Sequence, residues 1–142
     1  MNYVRMICEN DIDIPRLSSI LDLPEISRYI SIDKTSYWHY VSSTENVYYF
    51  KAYEGGNLVG AIHCEVAGTV LYMDIMVFPE HQQKGVGTTI LRDVQSGILP
   101  LPFDRIEVSI DETNLASIKL FEKAGFRFVS KEDELLNYVY VK

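Results

Sequence analysis

The stretch "PEHQQKGVGTTIL", Pro79 to Leu91, sets two glycines one residue apart, with Lys84 directly before them. After the glycines, Val86, Ile90, Leu91 and Val94 recur at helical spacing, so an amphipathic helix opens there. Before it, "VLYMDIMVF" (Val70 to Phe78) is β-branched, aromatic and apolar, the pattern of a strand. The unit is strand, glycine turn, helix. Amides in the first turn of a helix have no internal partner and sit at the positive end of the dipole, which suits a phosphate. Each charge-assisted hydrogen bond contributes about 1.5–3 kcal/mol, so several converging amides could hold a diphosphate.

Two common phosphate motifs do not fit. A nucleoside-triphosphate loop needs Lys after its second glycine, whereas Lys84 precedes Gly85 and the first glycine is missing. A dinucleotide fingerprint needs a third glycine where Ile90 stands. A glycine turn that only packs a helix on a sheet remains open at this point.

Working outward, 142 residues at 47% hydrophobic predict a single domain, 1–142, with a sizeable core. Tyr3 to Ile7 reads as a first strand. Asp13 is placed to cap a helix that carries Pro15 in its first turn and runs to about Leu21. A second helix is expected over Lys34 to Val41. Val47 to Glu54, "GGN", and Leu58 to Ala67 form a hairpin. Gly68-Thr69 then turns the chain into Val70 to Phe78. Beyond the glycine helix, "GILPLPFD" is a loop and Arg105 to Ile110 a strand. Asn114 caps a helix from Leu115 to Ala124, with Gly125 at the left-handed position after it. Strands Phe126 to Lys131 and Glu134 to Val141 end the chain. The fold class is α+β, with a mostly antiparallel sheet.

Charge and cysteine content narrow the function. A net charge of −7 argues against a nucleic-acid surface, and the aromatic runs "YWHY" and "VYYF" lack a basic stripe beside them. No apolar run is long enough to span a bilayer, and the first residues show no signal-peptide pattern. Cys8 and Cys64 form neither a metal-ligand spacing nor a disulfide framework, so no metal is expected and a reducing cytoplasm is.

"VFPEHQQKGVGTTIL" followed by "NLASIKLFEKAGF" resembles the GNAT acetyltransferase superfamily. The family's Q/R-x-x-G-x-G/A motif is matched by Gln82, Gly85 and Gly87, and its later Asn-to-Gly-Phe pattern by Asn114 through Phe126. The specific motifs lie between Asp74 and Phe126, while the element order resembles the family over the whole chain. The resemblance implies direct transfer of an acetyl group from acetyl-CoA to an amine, in a sheet that splays to admit the cofactor. It assigns the diphosphate to the amides from Gln83 to Thr88 (Gln83, Lys84, Gly85, Val86, Gly87, Thr88). It gives the pantetheine arm to Ile75, Met76 and Val77, and a further cofactor contact to Asn114. It also exposes a departure. Many members carry a tyrosine where this chain has Phe121, and Phe121 has no proton for a departing thiolate; Tyr138 and Tyr140 are alternative donors. A non-catalytic acyl-CoA-binding module is the competing reading.

Base candidates follow from strand geometry. A two-residue II′ turn at Gly68-Thr69 pairs Ala67 with Val70, Glu65 with Tyr72 and His63 with Asp74. His63 and Asp74 then share a face as a proton-accepting pair, the carboxylate orienting the imidazole, or as a structural cross-strand contact. His81 is expected near solvent or a phosphate, and His39 among packing aromatics. Met1 to Phe78 holds five Lys/Arg against ten Asp/Glu, which suits a cationic amine or simply a solvated acidic surface. The partner expected is a primary amine on a small molecule, a protein N-terminus or a lysine; neither nucleic acid nor membrane is expected, and a homodimer is compatible.

Overall fold

The computed structural model describes residues 1–142. Seven strands form one sheet: β1 (Asn2–Arg5), β2 (Val47–Glu54), β3 (Asn57–Ala67), β4 (Val70–Val77), β5 (Arg105–Asp111), β6 (Arg127–Glu132) and β7 (Leu135–Val141). Their spatial order is β1-β2-β3-β4-β5-β7-β6, and only β4 and β5 run parallel. Helices α1 (Ile14–Leu21), α2 (Pro24–Ser27) and α3 (Tyr37–Ser43) cover one face, where Leu17, Ile20, Trp38 and Val41 pack on Tyr49, Ala61 and Met76. Helices α4 (Val86–Gln95) and α5 (Leu115–Lys123) cover the other. There Val86, Ile90, Leu91, Val94 and Phe121 meet Ile62, Leu71, Met73 and Ile106. Alternation along each strand serves both layers at once, which is why the central strands carry so few polar residues.

The turns follow their glycines. Gly55 and Gly56 both take positive φ, the signature of a I′ turn, and Asn57 belongs to β3 and not to the turn. At the next hairpin only Gly68 is left-handed, as II′ requires, and the register is the one expected: Ala67↔Val70, Glu65↔Tyr72, His63↔Asp74.

Three expectations are corrected. Asp13 stands at the N-cap of α1, but its side chain makes no capping bond. Its carboxylate is claimed by Tyr53 and by Lys51, whose Nζ lies 2.8 Å from it and 2.9 Å from Asp11. Lys51 is the one buried charged residue, and burial alone would lower its pKa. The two carboxylates and Tyr53 outweigh that and hold it above the ordinary lysine value. The helix expected from Lys34 begins at Tyr37, because Asp33 accepts from both the amide and the hydroxyl of Thr35 and fixes a turn there. Helix α2 was not expected; Pro24 opens it, and its single turn is too short to show periodicity.

Candidate acetyl-transfer site

The parallel pairing of β4 with β5 lasts for three residues, Val70↔Arg105 to Tyr72↔Glu107, and then stops. Beyond it β4 continues to Val77 beside β3 while β5 continues beside β7, so the sheet opens into a slot. The amide of Phe78 donates to the carbonyl of Val59, and this fixes which main-chain groups face which way. By antiparallel parity Met76 and Asp74 spend theirs on β3, whereas Ile75 and Val77 direct theirs into the slot. Of the three residues expected to meet the pantetheine arm, Met76 therefore has its main chain turned away. Gly60 marks the same point: a Cβ there would lie 2.4 Å from the Met76 carbonyl oxygen.

The slot encloses about 550 Å³. Its floor is β4 from Met73 to Val77, and its far wall is β5 from Val108 to Asp111. Ile26, Tyr29 and Ile30 close it from the α2 side, and Leu120 and Phe121 from α5. At one end lies the glycine turn. Gln83 and Gly85 are both left-handed there, φ 61° and 82°, which costs a non-glycine residue about 1–3 kcal/mol. Helix α4 has no side-chain cap, so its first-turn amides have no partner in the protein. Gly87 has a different task. A Cβ on it would approach Leu120 Cδ2 to 3.3 Å, so its missing side chain lets α4 pack on α5.

Gln82, Gln83, Gly85, Gly87, Thr88 and Asn114 all line the slot. Lys84 and Val86 do not: Lys84 is exposed and Val86 is buried in the core, so only their amides could serve a ligand. Gln82 donates its side-chain amide to the Val77 carbonyl at 3.1 Å, bracing the turn against the strand end. Asn114 Oδ1 accepts from the Ser117 amide, as a cap should, and its Nδ2 has no partner in the protein. His81 is half-buried beside Glu80, and His39 lies on the surface 3.2 Å from Glu9, away from the packed aromatics.

On the face that carries α1 to α3, a second cavity of about 210 Å³ abuts the slot. The two share Met73, Asp74, Val108 and Ser109. His63, Glu65, Tyr72, Glu107 and Asn137 complete it. His63 and Asp74 stand opposite each other as expected, but no hydrogen bond joins them. His63 Nε2 instead meets Glu65 at 2.8 Å and its Nδ1 meets the Tyr37 hydroxyl at 2.9 Å. Glu65, two residues along the same strand face, orients the imidazole in place of Asp74. An ionised Glu65 only accepts, so Nε2 carries a proton, and in the neutral ring Tyr37 donates to Nδ1. Both ring nitrogens are thereby engaged. Asp74 has no hydrogen-bond partner and reaches solvent at the shared wall. Its carboxyl pKa is raised, first by desolvation and then by Glu65, with His63 opposing. Glu107 is paired with Arg105 at 2.8 Å and Glu65 is hydrogen-bonded to His63, so Asp74 is the one carboxylate of the cavity without a partner.

Neither tyrosine of the last strand lines the slot. Tyr138 is buried and donates to Glu122 at 3.0 Å, while Tyr140 packs on Phe126 at 5.4 Å. Tyr29 is the one phenol on the slot wall. Tyr37, Ser109 and Asn137 were not singled out from sequence, although the apolar alternation Ile106, Val108, Ile110 already puts Glu107 and Ser109 on the opposite face. No group of three or more His, Cys, Asp or Glu is arranged to hold a metal ion. No helix is long and apolar enough to cross a membrane.

The slot, the uncapped helix and the glycine turn together form the architecture of a GNAT-type fold. A family model described as acetyltransferase (GNAT) family matches residues 14–126, and the chain belongs to that family. No curated protein matches it. Among solved structures, a domain from Methanocaldococcus jannaschii superposes with a TM-score of 0.81 at 19% identity, over 99% of both chains. The aminoglycoside acetyltransferase AAC(6')-Ib, in complex with coenzyme A and kanamycin, gives 0.79 at 20% identity, over 99% of this chain and 95% of that one. The GNAT domain of S. lividans PAT gives 0.80 at 16%, over 99% and 89%.

Proposed function

We propose that the chain transfers an acetyl group from acetyl-CoA to a cationic primary amine within a ternary complex. The observation that carries this reading is the meeting of two cavities at one unpartnered carboxylate, Asp74. The slot fits the donor: its strand edge at Ile75 and Val77 has no neighbouring strand, only Gln82 meeting the Val77 carbonyl, and a pantetheine arm could bond along it as a neighbouring strand would. The amides from Gln83 to Thr88 would hold the diphosphate. Bound there, acetyl-CoA supplies a thioester carbonyl and a thiol leaving group. The acidic second cavity would receive the amine, as ammonium drawn by Asp74 and Glu65. Asp74 would accept its proton and become neutral, while His63, held by Glu65 and Tyr37 on the adjacent strand, would act as a positioning residue beside it. That an enzyme of the same fold has been seen with coenzyme A and kanamycin supports an amine acceptor.

Phe121 favours a second reading, an acyl-CoA-binding module without turnover. Against it, a CoA thiol is acidic enough to leave as a thiolate held by main-chain amides, so a side-chain acid improves the rate without being required. Calorimetry with acetyl-CoA, run beside coenzyme A release over a panel of primary amines, separates the two. The transferase reading expects binding and release; tight binding with no release from any amine, and release gained in Phe121→Tyr, would establish the binding module.

A further inference from the structure

Ser109 sits across the opened sheet from Asp74 and lines both cavities, and its hydroxyl is not free to choose its role. Asn137 on β7 pairs with Ser109 in register, and its side chain touches three groups. Its Nδ2 lies 3.4 Å from a carboxylate oxygen of Glu132 and 3.0 Å from Ser130 Oγ, and its Oδ1 lies 2.7 Å from Ser109 Oγ. A carboxylate can only accept, so the amide nitrogen must face Glu132 and the amide oxygen must face Ser109. That oxygen has no hydrogen to give. Ser109 therefore donates its one proton to Asn137 and presents only lone pairs to the cavities. Asp74 opposite it is likewise an acceptor.

We infer that Ser109, set as an acceptor by Asn137 and Glu132, holds the substrate nitrogen by a second N–H while Asp74 takes the first. The reading rests on the amine-acetylating function proposed above and adds the acceptor's anchoring group. A nitrogen gripped between strands β4 and β5 needs at least two N–H bonds, which selects primary ammonium over tertiary. The same geometry removes Ser109 as a proton donor to the departing sulfur, since its proton is spent.

The test uses n-butylammonium and N,N-dimethylbutylammonium, which carry three N–H groups and one. Dissociation constants are read from amide shifts on titrating each into labelled full-length protein, wild type and Ser109→Ala. Ser109→Ala should weaken n-butylammonium about tenfold, the scale of one hydrogen bond to a charged donor, and leave the dimethyl compound within twofold. Asn137→Leu keeps the hydroxyl but frees its proton, and should weaken n-butylammonium less than Ser109→Ala does. Acetyl-CoA affinity stays unchanged in Asn137→Leu, whose side chain lies outside the slot, and with n-butylamine as acceptor KM rises in Ser109→Ala more than kcat falls. Equal loss for both ammonium compounds, no loss for either, or no binding of n-butylammonium at this cavity would overturn the assignment. If the binding pattern holds but wild type releases no coenzyme A with any amine, the Ser109 assignment stands and the transferase reading falls.

Discussion

Among single residues, Asp74 combines no partner, a raised pKa and a place on both cavity walls. A carboxyl that holds its proton more tightly in the folded protein than in the unfolded chain stabilises the fold where it is protonated. That contribution is lost as pH rises through the raised value. Asp74→Asn should therefore melt at a higher temperature than wild type near pH 7.5, with the difference gone near pH 3. It should also lose about 10²-fold or more in kcat, within the range for one acid–base group, with acetyl-CoA affinity unchanged. Calorimetry at the two pH values and steady-state kinetics test both halves; a variant less stable at neutral pH would show that Asp74 is compensated. His63, with both nitrogens engaged, should cost less in kcat on substitution by Gln than Asp74 does by Asn. Tyr29→Phe asks whether the slot's own phenol serves the leaving group. A loss under threefold assigns that proton to water.

At the scale of elements, the glycine turn and the strand end next to it separate binding from folding. Gly85 has open space around its Cβ position but φ 82°, and Gly87 would crowd Leu120. Gly85→Asp and Gly87→Asp both put a carboxylate at the turn and should abolish acetyl-CoA binding in calorimetry. Gly60→Ala acts elsewhere: its methyl meets the Met76 carbonyl, which the backbone cannot yield cheaply. We expect about 2 kcal/mol or more of lost stability by denaturant titration, among the larger effects of one methyl. The helix after Gly85 and the β3–β4 register were legible in sequence because local rules decide them: an apolar period of 3.6 and a two-residue turn at Gly68-Thr69. The partner of His63 was not legible, since register places Asp74 opposite it while a side-chain torsion sends the ring to Glu65. Ser109 and Asn137 were hidden for a different reason. Their strands are joined through α5 and β6, so no turn announces the pairing.

For the whole molecule, the three-pair contact between β4 and β5 makes the sheet two panels, β1 to β4 and β5 to β7, joined by that short contact and by the shared packing of α4 and α5. A ligand filling the gap binds both, so acetyl-CoA at a hundred times its dissociation constant should add about 2.7 kcal/mol to stability, read as a rise in Tm. No rise with saturating acetyl-CoA would mean that the slot does not hold it. The opening also gives β4 an unusual chemical record. In a central strand every amide is ordinarily shielded, and exchange of its hydrogens with solvent deuterium is uniformly slow. Here Asp74 and Met76 keep bonds to β3 while Ile75 and Val77 between them face the gap. In the ligand-free protein, slow and fast deuteration should therefore alternate residue by residue along one strand. A ligand lying along the edge would erase the alternation, slowing only the odd-numbered amides.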